Sequence, residues 1–420
     1  MEKLYVDGGT RLSGKIRISG SKNSSLPILA ATLLTDSECI LRNVPDLSDT
    51  NYMVQILSTL GAEVERASGN VIVKANKVAA EAPYDLVRKM RASVCVLGPM
   101  LARNGEALVS LPGGCVIGDR PIDLHLRGLE ALGAEVEVKG GDIKVTARSG
   151  LRGANINMSG QYGSTVLGTD NVMMAAVFAV GETIIEGAAA EPEVEDLAKF
   201  LNSLGAKIEG AGTSRIVIHG VEDLSGGEHV VIPDRIEAGT FCIASTLAKG
   251  NLEIKNVNPK VIRAELALLK KFGAKIKTEN NKILIKGPDK IRPIRNIKTR
   301  EWPGVATDMQ SQLMVLMCKA NGKSTITENI FENRFLHVGE LQRLGANIQI
   351  EKNKAIIEGN TKFVGAELMS SDLRASVALV LAAIVSHGKS IINRIYHLDR
   401  GYEDLESKLR NIGVKIRRVK

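Results

Sequence analysis

The chain has 420 residues, a length that suits about two or three domains. It carries 55 Lys and Arg against 47 Asp and Glu, and the net charge of +8 favours anionic partners such as phosphates and carboxylates. Only 3% of the residues are aromatic, whereas surfaces that bind single-stranded nucleic acid stack the bases on aromatic rings. The composition therefore favours small anionic substrates, and we expect no nucleic acid partner.

The sequence shows neither a targeting segment nor a membrane span. Residues 1–8 lack the apolar stretch of a secretory signal. The longest apolar run, 375–386, is shorter than the roughly 18–20 residues that cross a bilayer. We therefore expect no membrane partner. The five cysteines include no CxxC pair, which favours a reducing cytoplasm. Four of them are expected to be inert core residues: Cys39, Cys95, Cys242 and Cys318.

One short phrase, typically Leu-Gly-Ala followed by alternating residues, recurs six times along the chain. Its glycines are Gly61, Gly133, Gly205, Gly273, Gly345 and Gly413, at spacings of 72, 72, 68, 72 and 68 residues. Such regular self-similarity is typical of a repeated structural unit. Residues 1–21 precede the first complete copy, and their strand-like pattern is compatible with closing a sheet in the second half.

Within the second copy, residues 111–121 form an unusual connection. Three glycines and two prolines in eleven residues exclude a helix or a central strand. The segment contains Cys115 and ends beside Arg120. It is open to two interpretations, a mobile lid that carries a reactive thiol or a plain connecting loop. Other copies have much shorter links at this place, as at 186–191 and 257–260, which favours an insertion between a strand and a helix.

The fourth copy shows the predicted unit most clearly. Residues 252–257 alternate like a strand, 261–272 have a helical period, and Gly273 is a helix stop. Residues 275–285 then resemble a hairpin. A second helix, apolar around most of its circumference and therefore buried, precedes each phrase, as at 91–102, 238–248, 310–320 and 373–385. The sequence thus predicts an α/β (α+β) protein of six βαβαββ units, grouped in threes because one core rarely exceeds about 250–300 residues.

Charged residues cluster where the predicted buried helices begin. If the helices of one group run parallel, these N-termini gather at one end and form an anion-binding site. The residues concerned are Lys22, Asn23, Arg91, Asp308, Asp372 and Arg374. Two simpler interpretations stay open: Asp308 and Asp372 as helix N-caps, and Arg91 and Arg334 as surface charges.

Several common motifs are absent from the sequence. The Gly-Lys-Ser runs at 322–324 and 388–390 lack the leading glycine of a P-loop, and there is no GxGxxG, HExxH or GxSxG. The six histidines are scattered. We therefore expect no metal site.

Six segments together resemble one known family. They are Ser19-Gly20-Ser21-Lys22-Asn23, the run from Pro112 to Leu124 with its Pro-Gly-Gly-Cys and Arg-Pro pairs, Thr307-Asp308-Met309-Gln310, Glu332-Asn333-Arg334-Phe335, Asp372-Leu373-Arg374-Ala375, and His397-x-Asp399-Arg400-Gly401-Tyr402. This combination, spread over essentially the whole chain, resembles the UDP-N-acetylglucosamine 1-carboxyvinyltransferases, a family of enolpyruvyl transferases.

The resemblance implies a fold and a reaction. The fold would be an inside-out α/β barrel pair, two domains each of three βαβαββ repeats. One domain would span 22–232, the other 1–21 plus 233–420, with the active site in the cleft. The enzyme would transfer the enolpyruvyl group of phosphoenolpyruvate to the 3-hydroxyl of UDP-N-acetylglucosamine and release phosphate. That reaction is the first committed step of peptidoglycan synthesis. It would need no metal or organic cofactor, and we expect a monomer.

The resemblance also implies roles for individual residues. Cys115 would be the general acid on the lid and the target of fosfomycin-type epoxides, and Asp308 would be the base; Lys22 and Arg400 would complete the catalytic set. Phosphoenolpyruvate would be bound by Lys22, Asn23, Arg120, Asp372, Arg374 and Arg400. UDP-N-acetylglucosamine would be bound by Asn23, Arg91, Arg120, Pro121, Ile122, Asp123, Leu124, Gly160, Gln161, Tyr162, Gly163, Ser164, Asp308 and Ile330.

One segment departs from the family pattern. Many members carry a Ser-Val-Gly-Ala-Thr-like run that contacts the diphosphate, whereas residues 159–165 here are Ser-Gly-Gln-Tyr-Gly-Ser-Thr. Ser164, Thr165 and backbone N–H groups remain candidates for that contact.

Two other functions are compatible with part of the sequence. The sister transferases that act on shikimate 3-phosphate share the reaction but lack the cysteine lid. A basic nucleic-acid-binding repeat protein would show steeply salt-dependent binding and would leave the Cys115 loop unexplained.

Overall fold

The structure is a computed structural model that describes residues 2–111, 122–161 and 163–420. Two compact units are present and are described separately. The N-terminal unit comprises described residues between 20 and 232, and the C-terminal unit comprises residues 2–19 and 233–420. Cys115, Arg120, Pro121 and Tyr162 lie outside the described residues.

The strands of the described chain are β1 (Lys3–Asp7), β2 (Ser13–Arg17), β3 (Cys39–Arg42), β4 (Glu63–Ala67), β5 (Asn70–Lys74), β6 (Glu106–Ser110), β7 (Glu135–Lys139), β8 (Asp142–Thr146), β9 (Asn155–Asn157), β10 (Ser159–Gly160), β11 (Gly163–Ser164), β12 (Glu182–Glu186), β13 (Lys207–Glu209), β14 (Arg215–His219), β15 (Gly227–Val230), β16 (Asn251–Lys255), β17 (Lys275–Glu279), β18 (Lys282–Lys286), β19 (Ile297–Lys298), β20 (Ser324–Thr327), β21 (Asn347–Glu351), β22 (Lys354–Glu358), β23 (Glu367–Met369), β24 (Lys389–Asn393) and β25 (Lys415–Val419).

The α-helices are α1 (Lys22–Ala31), α2 (Ser48–Thr59), α3 (Tyr84–Val87), α4 (Leu97–Asn104), α5 (Asp123–Ala131), α6 (Val166–Ala176), α7 (Pro192–Ser203), α8 (Arg235–Leu247), α9 (Arg263–Phe272), α10 (Gln310–Lys319), α11 (Val338–Arg343), α12 (Leu373–Ile384) and α13 (Leu405–Asn411). Short 3₁₀ helices cover Thr32–Leu34, Arg91–Val96, Pro259–Ile262, Thr307–Met309 and Ile395–Arg400.

Each unit repeats a βαβαββ module, and the strands of each module form a small sheet. In the C-terminal unit the strand orders are β17-β18-β16-β2, β19-β20-β22-β21 and β23-β24-β1-β25. In the N-terminal unit they are β15-β3-β5-β4, β6-β8-β7 and β13-β14-β12-β9. Each four-stranded sheet has one parallel strand pair, as β2 with β16, and its other pairs are antiparallel. The three-stranded sheet β6-β8-β7 is antiparallel. The α/β class and the repeat predicted from the sequence are confirmed.

The N-terminal residues complete two sheets of the C-terminal unit. Strand β1 pairs antiparallel with both β24 and β25, placing Leu4 opposite Ile392 and Val6 opposite Ile416. Strand β2 pairs in parallel with β16. In the N-terminal unit, β15 takes the equivalent place beside β3. Sequence order and sheet order therefore differ at both places where the chain passes from one unit to the other.

Helices lie inside each unit and sheets cover them. All thirteen residues of α8 and all twelve of α12 are buried, whereas the sheet strands alternate buried and exposed residues. Such close helix packing requires small residues. A Cβ added to Gly98 in α4 would lie 2.3 Å from the carbonyl oxygen of Asn171 in α6. In the part of the chain that the structure describes, no helix is long and apolar enough to span a bilayer.

Gly98→Ala is therefore expected to destabilise the N-terminal unit by about 1–3 kcal/mol, because backbone must move to admit the methyl group. Gly339→Ala in α11 is the control, since a Cβ there meets nothing within 4 Å and Ala favours a helix. Urea unfolding measures both. A Gly98→Ala protein as stable as the parent would contradict the packing argument.

Candidate active site

In the C-terminal unit, Asp308 lies between two buried arginines. Nη2 of Arg334 is 2.7 Å from Oδ1 of Asp308, and Nη2 of Arg374 is 3.0 Å from Oδ2. Both arginine side chains are 5% exposed, and that of Asp308 is 24% exposed. Asp308 is in the 3₁₀ helix ahead of α10 and caps neither helix. The carboxylate is thus fixed in orientation at a position open to solvent.

Arg374 is held at the first turn of α12. Asp372 is the N-cap of this helix: its Oδ1 accepts the backbone N–H groups of Arg374 and Ala375, both at 3.0 Å. The guanidinium carbon of Arg374 lies 5.5 Å from the ring centre of Tyr402. Burial lowers the pKa of Arg374. The charge of Asp308 and the contact with Tyr402 raise the pKa by more than burial lowers it, so the pKa lies above its usual range. Arg374 therefore supplies a fixed positive charge.

A buried carboxylate connects Asp308 to a second candidate segment. Glu328 is 2% exposed and follows β20. Its Oε1 accepts hydrogen bonds from Thr299 Oγ1 (2.9 Å) and from the backbone N–H of Ile330 (2.8 Å). Its Oε2 accepts from Thr307 Oγ1 at 2.9 Å, one residue before Asp308. Glu328 thus holds together the chain segments of two predicted site residues, a role that the sequence did not indicate.

Two histidines also belong to this cluster. Burial and the charge of Arg334 lower the pKa of His337 to about 4, although Asp372 acts in the opposite direction. Burial, followed by the charge of Arg400, lowers the pKa of His397. His337 is therefore neutral at neutral pH.

Arg400 ends the 3₁₀ helix Ile395–Arg400. Its neighbour Asp399 accepts two hydrogen bonds from Arg418, at 2.6 and 3.0 Å, which anchor that helix to β25. Arg400 is thus presented from a fixed turn.

The N-terminal unit places Lys22 at the first residue of buried helix α1. Ser21 is the N-cap, accepting the backbone N–H of Ser24 at 3.3 Å. Nζ of Lys22 lies 3.4 Å from Oδ2 of Asp49, and these side chains are 14% and 2% exposed. Asn23 follows on the same turn. A cation and an amide thus stand where the helix offers free N–H groups to an anion.

A second group in this unit surrounds Arg91, which begins the 3₁₀ helix Arg91–Val96. Asn171 Oδ1 accepts the Gly98 N–H at 2.8 Å, so its Nδ2 is a donor 3.0 Å from Nδ1 of His125. Nδ1 is then an acceptor, and the imidazole is neutral. Burial, followed by the Arg91 charge, lowers the pKa of His125 to about 3, in agreement with this geometry.

The remaining predicted residues of this unit lie around the start of α5. Ile122 and Asp123 begin the helix, and Leu124 faces the two-stranded ribbon β10–β11, where a Cβ on Gly160 would be 3.0 Å from Leu124 Cδ1. Gln161 is exposed in the turn of the ribbon. Gly163 and Ser164 form β11, and Thr165 caps α6. The structure therefore brings Leu124 and the 160–164 segment together.

Four cysteines lie in the part of the chain that the structure describes. Cys39, Cys95, Cys242 and Cys318 are buried free thiols, as predicted. Burial raises the pKa of Cys39 to about 11 and that of Cys318 to about 12. Among the described residues, no group of three or more His, Cys, Asp or Glu side chains is arranged to hold a metal ion.

Comparisons with known proteins connect this arrangement to one family. The family model for EPSP synthase (3-phosphoshikimate 1-carboxyvinyltransferase) matches residues 6–409. The chain is 55% identical, over all of its length and 99% of the relative, to the UDP-N-acetylglucosamine 1-carboxyvinyltransferase of Methylacidiphilum infernorum (isolate V4). It is 51% identical to the protein of the same name from Akkermansia muciniphila, over all of this chain and 99% of that one.

Solved structures agree in fold. The enolpyruvyl transferase NikO from Streptomyces tendae superposes with a TM-score of 0.90 at 28% identity, covering 100% of this chain and 99% of that one. EPSP synthase from Acinetobacter baumannii gives 0.77 at 17% identity and covers both chains completely, a likeness that shows the fold alone.

The lowered pKa of His125 predicts a pH-dependent stability. Unfolded histidine takes up a proton below about pH 6.5, whereas folded His125 does so only near pH 3. Stability therefore falls as the pH drops through this window, by about 2 kcal/mol at pH 5 from this residue. His125→Gln keeps a polar group opposite Asn171 and should remove that part of the loss. Urea unfolding at neutral and mildly acidic pH measures it, and an unchanged pH dependence would contradict the assignment.

Proposed function

The chain belongs to the EPSP synthase family of enolpyruvyl transferases, and we propose that it transfers the enolpyruvyl group of phosphoenolpyruvate to the 3-hydroxyl of UDP-N-acetylglucosamine, releasing phosphate. The identity of 55% over the whole chain to a protein with that printed activity carries this proposal. The shikimate 3-phosphate alternative is disfavoured, because the superposed EPSP synthase is only 17% identical.

The proposed chemistry is addition followed by elimination. Protonation of C3 of phosphoenolpyruvate makes C2 electrophilic, and the sugar hydroxyl attacks C2 as it loses its proton. Loss of a proton from C3 and departure of phosphate complete the transfer. The reaction needs an acid near C3, a base near the hydroxyl and cations around the phosphate and carboxylate.

We assign the base to Asp308. Guanidinium groups on both of its oxygens fix the direction of the carboxylate, and an ionised carboxylate is a proton acceptor. Its partial exposure, with both arginines buried behind it, supports approach of a hydroxyl from the solvent side.

Cations at the ends of helices would bind phosphoenolpyruvate. Arg374 and Arg400 offer guanidinium groups from the C-terminal unit, and Lys22 offers an ammonium group at the start of α1. Guanidinium forks match the geometry of phosphate and carboxylate. In this proposal Asn23, Arg120 and Asp372 complete the phosphoenolpyruvate site.

UDP-N-acetylglucosamine would be bound mainly by the N-terminal unit. Two observations support this assignment: Leu124 lies against the β10–β11 ribbon, which leads into the capped start of α6, and the charge of Arg91 acts on the neighbouring His125. The other proposed contacts are Asn23, Arg120, Pro121, Ile122, Asp123, Tyr162, Asp308 and Ile330.

The proposed acid is Cys115. Among the cysteines, the four described ones are buried, and burial raises the pKa of each, so they are poor proton donors at neutral pH. On this proposal the enzyme is a cytoplasmic monomer that needs no cofactor, acts early in peptidoglycan synthesis and is alkylated at Cys115 by fosfomycin-type epoxides.

Phosphate release from phosphoenolpyruvate tests the proposed function directly. We expect release when UDP-N-acetylglucosamine is added and none with shikimate 3-phosphate. Turnover with shikimate 3-phosphate alone would overturn the assignment.

Asp308→Asn should lower kcat by about 100-fold or more with a smaller effect on KM, because it keeps the shape and removes the base. Steady-state phosphate release measures both constants, and a thermal melt confirms folding. Asp289→Asn, at an exposed carboxylate outside the cluster, is the control. A change in KM alone would mean that Asp308 only positions substrate.

A further inference from the structure

The outward face of the sheet β17-β18-β16-β2 is densely cationic. Alternate residues of these strands are buried, and those between them point outward. The outward cations are Lys15, Arg17, Lys255, Lys275, Lys277, Lys282 and Lys286, and the outward carboxylates are Glu253 and Glu279. Seven cations against two carboxylates give a net charge of +5. We call this surface the cationic face.

The repeated fold provides matched comparisons for this surface. Counted in the same way over described residues, cations and carboxylates number two and three on β15-β3-β5-β4, two and four on β6-β8-β7, and two and three on β13-β14-β12-β9. They number two and two on β19-β20-β22-β21, and four and two on β23-β24-β1-β25. The fold therefore forms without a cationic outer face.

The cations of this face oppose one another directly. Lys255 lies opposite Lys282 on one side and opposite Arg17 on the other. Lys275 lies opposite Lys286. Like charges directly across a strand pair destabilise a sheet. The repulsion between these cations therefore destabilises the sheet, so sheet stability does not explain why they are there.

The two carboxylates neutralise only part of the charge. Glu253 lies 3.6 Å from Lys15 and 3.7 Å from Lys255, so one carboxylate is shared by two cations. Glu279 is shared in the same way by Lys282 at 3.0 Å and Lys277 at 3.7 Å. The surrounding segment, 270–300, contains eleven Lys and Arg against two Asp and Glu, an excess larger than the +8 of the whole chain.

We propose that the cationic face binds the anionic phospholipid headgroups of a bilayer surface. Its cations stand about 5–7 Å apart in a broad array, set by the strand spacing and the two-residue repeat. An anionic bilayer offers an equally broad negative surface and attracts clustered Lys and Arg. Arg17, Lys255 and Lys282 also line an open cavity of about 680 Å³ where these strands end, together with the carboxylates Glu253 and Glu279. Three cations against two carboxylates leave this cavity with a net positive charge for a headgroup phosphate.

The face is less suited to a nucleic acid. Leu284 is the one apolar side chain that points outward from the described strands of this sheet, and no aromatic ring does so. Bases are usually bound by stacking on aromatic rings or by a helix or ribbon in a groove. Peripheral lipid binding would overturn the expectation of no membrane partner, which rested on the lack of a spanning segment.

Co-sedimentation with phosphatidylcholine vesicles, with and without phosphatidylglycerol, tests the proposal. We expect binding only to the vesicles that contain phosphatidylglycerol, and loss of binding as salt rises. The triple variant Lys255→Gln, Lys275→Gln and Lys277→Gln should weaken vesicle binding by about a hundredfold. Each basic residue near an anionic surface contributes a similar share of the binding free energy, and three of them are removed. The matched control combines Lys139→Gln, Lys144→Gln and Lys207→Gln on outer faces of the N-terminal unit and should bind like the parent.

Three outcomes would overturn the proposal: no binding to the anionic vesicles, an equal loss in the two triple variants, or tighter binding to a DNA or RNA oligonucleotide than to vesicles. Thermal melting of the free proteins adds an independent measure. The face variant should melt at or above the temperature of the parent, because it relieves cross-strand repulsion. A lower melting temperature would show that these lysines stabilise the sheet, against the argument made from repulsion.

Discussion

Burial of entire helices is the constraint on which the rest of this structure depends. A helix surrounded by protein cannot satisfy its first N–H groups with water, so another protein group must accept them. Four buried helices, α1, α6, α8 and α12, have the N-caps Ser21, Thr165, Asp234 and Asp372, each of which accepts one or two backbone N–H groups. The buried helices α4 and α10 have no such cap and instead continue 3₁₀ helices. The outer helices α5, α7, α9, α11 and α13 of the described chain have no side-chain cap. Core formation thus gathers polar groups at the same helix ends that carry Lys22 and Arg374.

The fold was largely predictable because its signals are local and repeated. The six phrase glycines all have a positive φ, between 95° and 111°, as expected of residues that stop a helix in the left-handed region. The buried helix predicted at 373–385 is observed at Leu373–Ile384. The helix predicted at 91–102 instead begins as 3₁₀ turns, Arg91–Val96, and becomes α-helical only at Leu97. A 3₁₀ start differs little in hydrophobic pattern from an α-helical one, so the sequence did not distinguish them.

The sequence identified charged residues of the candidate site but did not predict the contacts between them. The sequence left open that Asp308 and Asp372 are helix N-caps. Asp372 is one, and Asp308 is not. Treating Arg334 as a surface charge is wrong, since it is buried against Asp308, 26 residues away. Glu328 and Asn171 gave no signal at all, because a buried polar residue that joins distant segments has no periodicity and no motif. Such contacts depend on how the modules pack, which a pattern along the chain does not contain.

The Asp308 cluster also constrains the order of events in the proposed reaction. Asp308 neutralises part of the charge of two buried guanidinium groups, those of Arg334 and Arg374. If Asp308 accepts a proton, both groups lose this negative partner in a place where burial penalises unpaired charge. An anionic substrate close to Arg374 would offset the change, because its negative charge replaces the one that Asp308 gives up. If Asp308 is the base, as proposed, proton transfer to it is favoured once phosphoenolpyruvate has bound, which would couple the base to occupancy of the anion site.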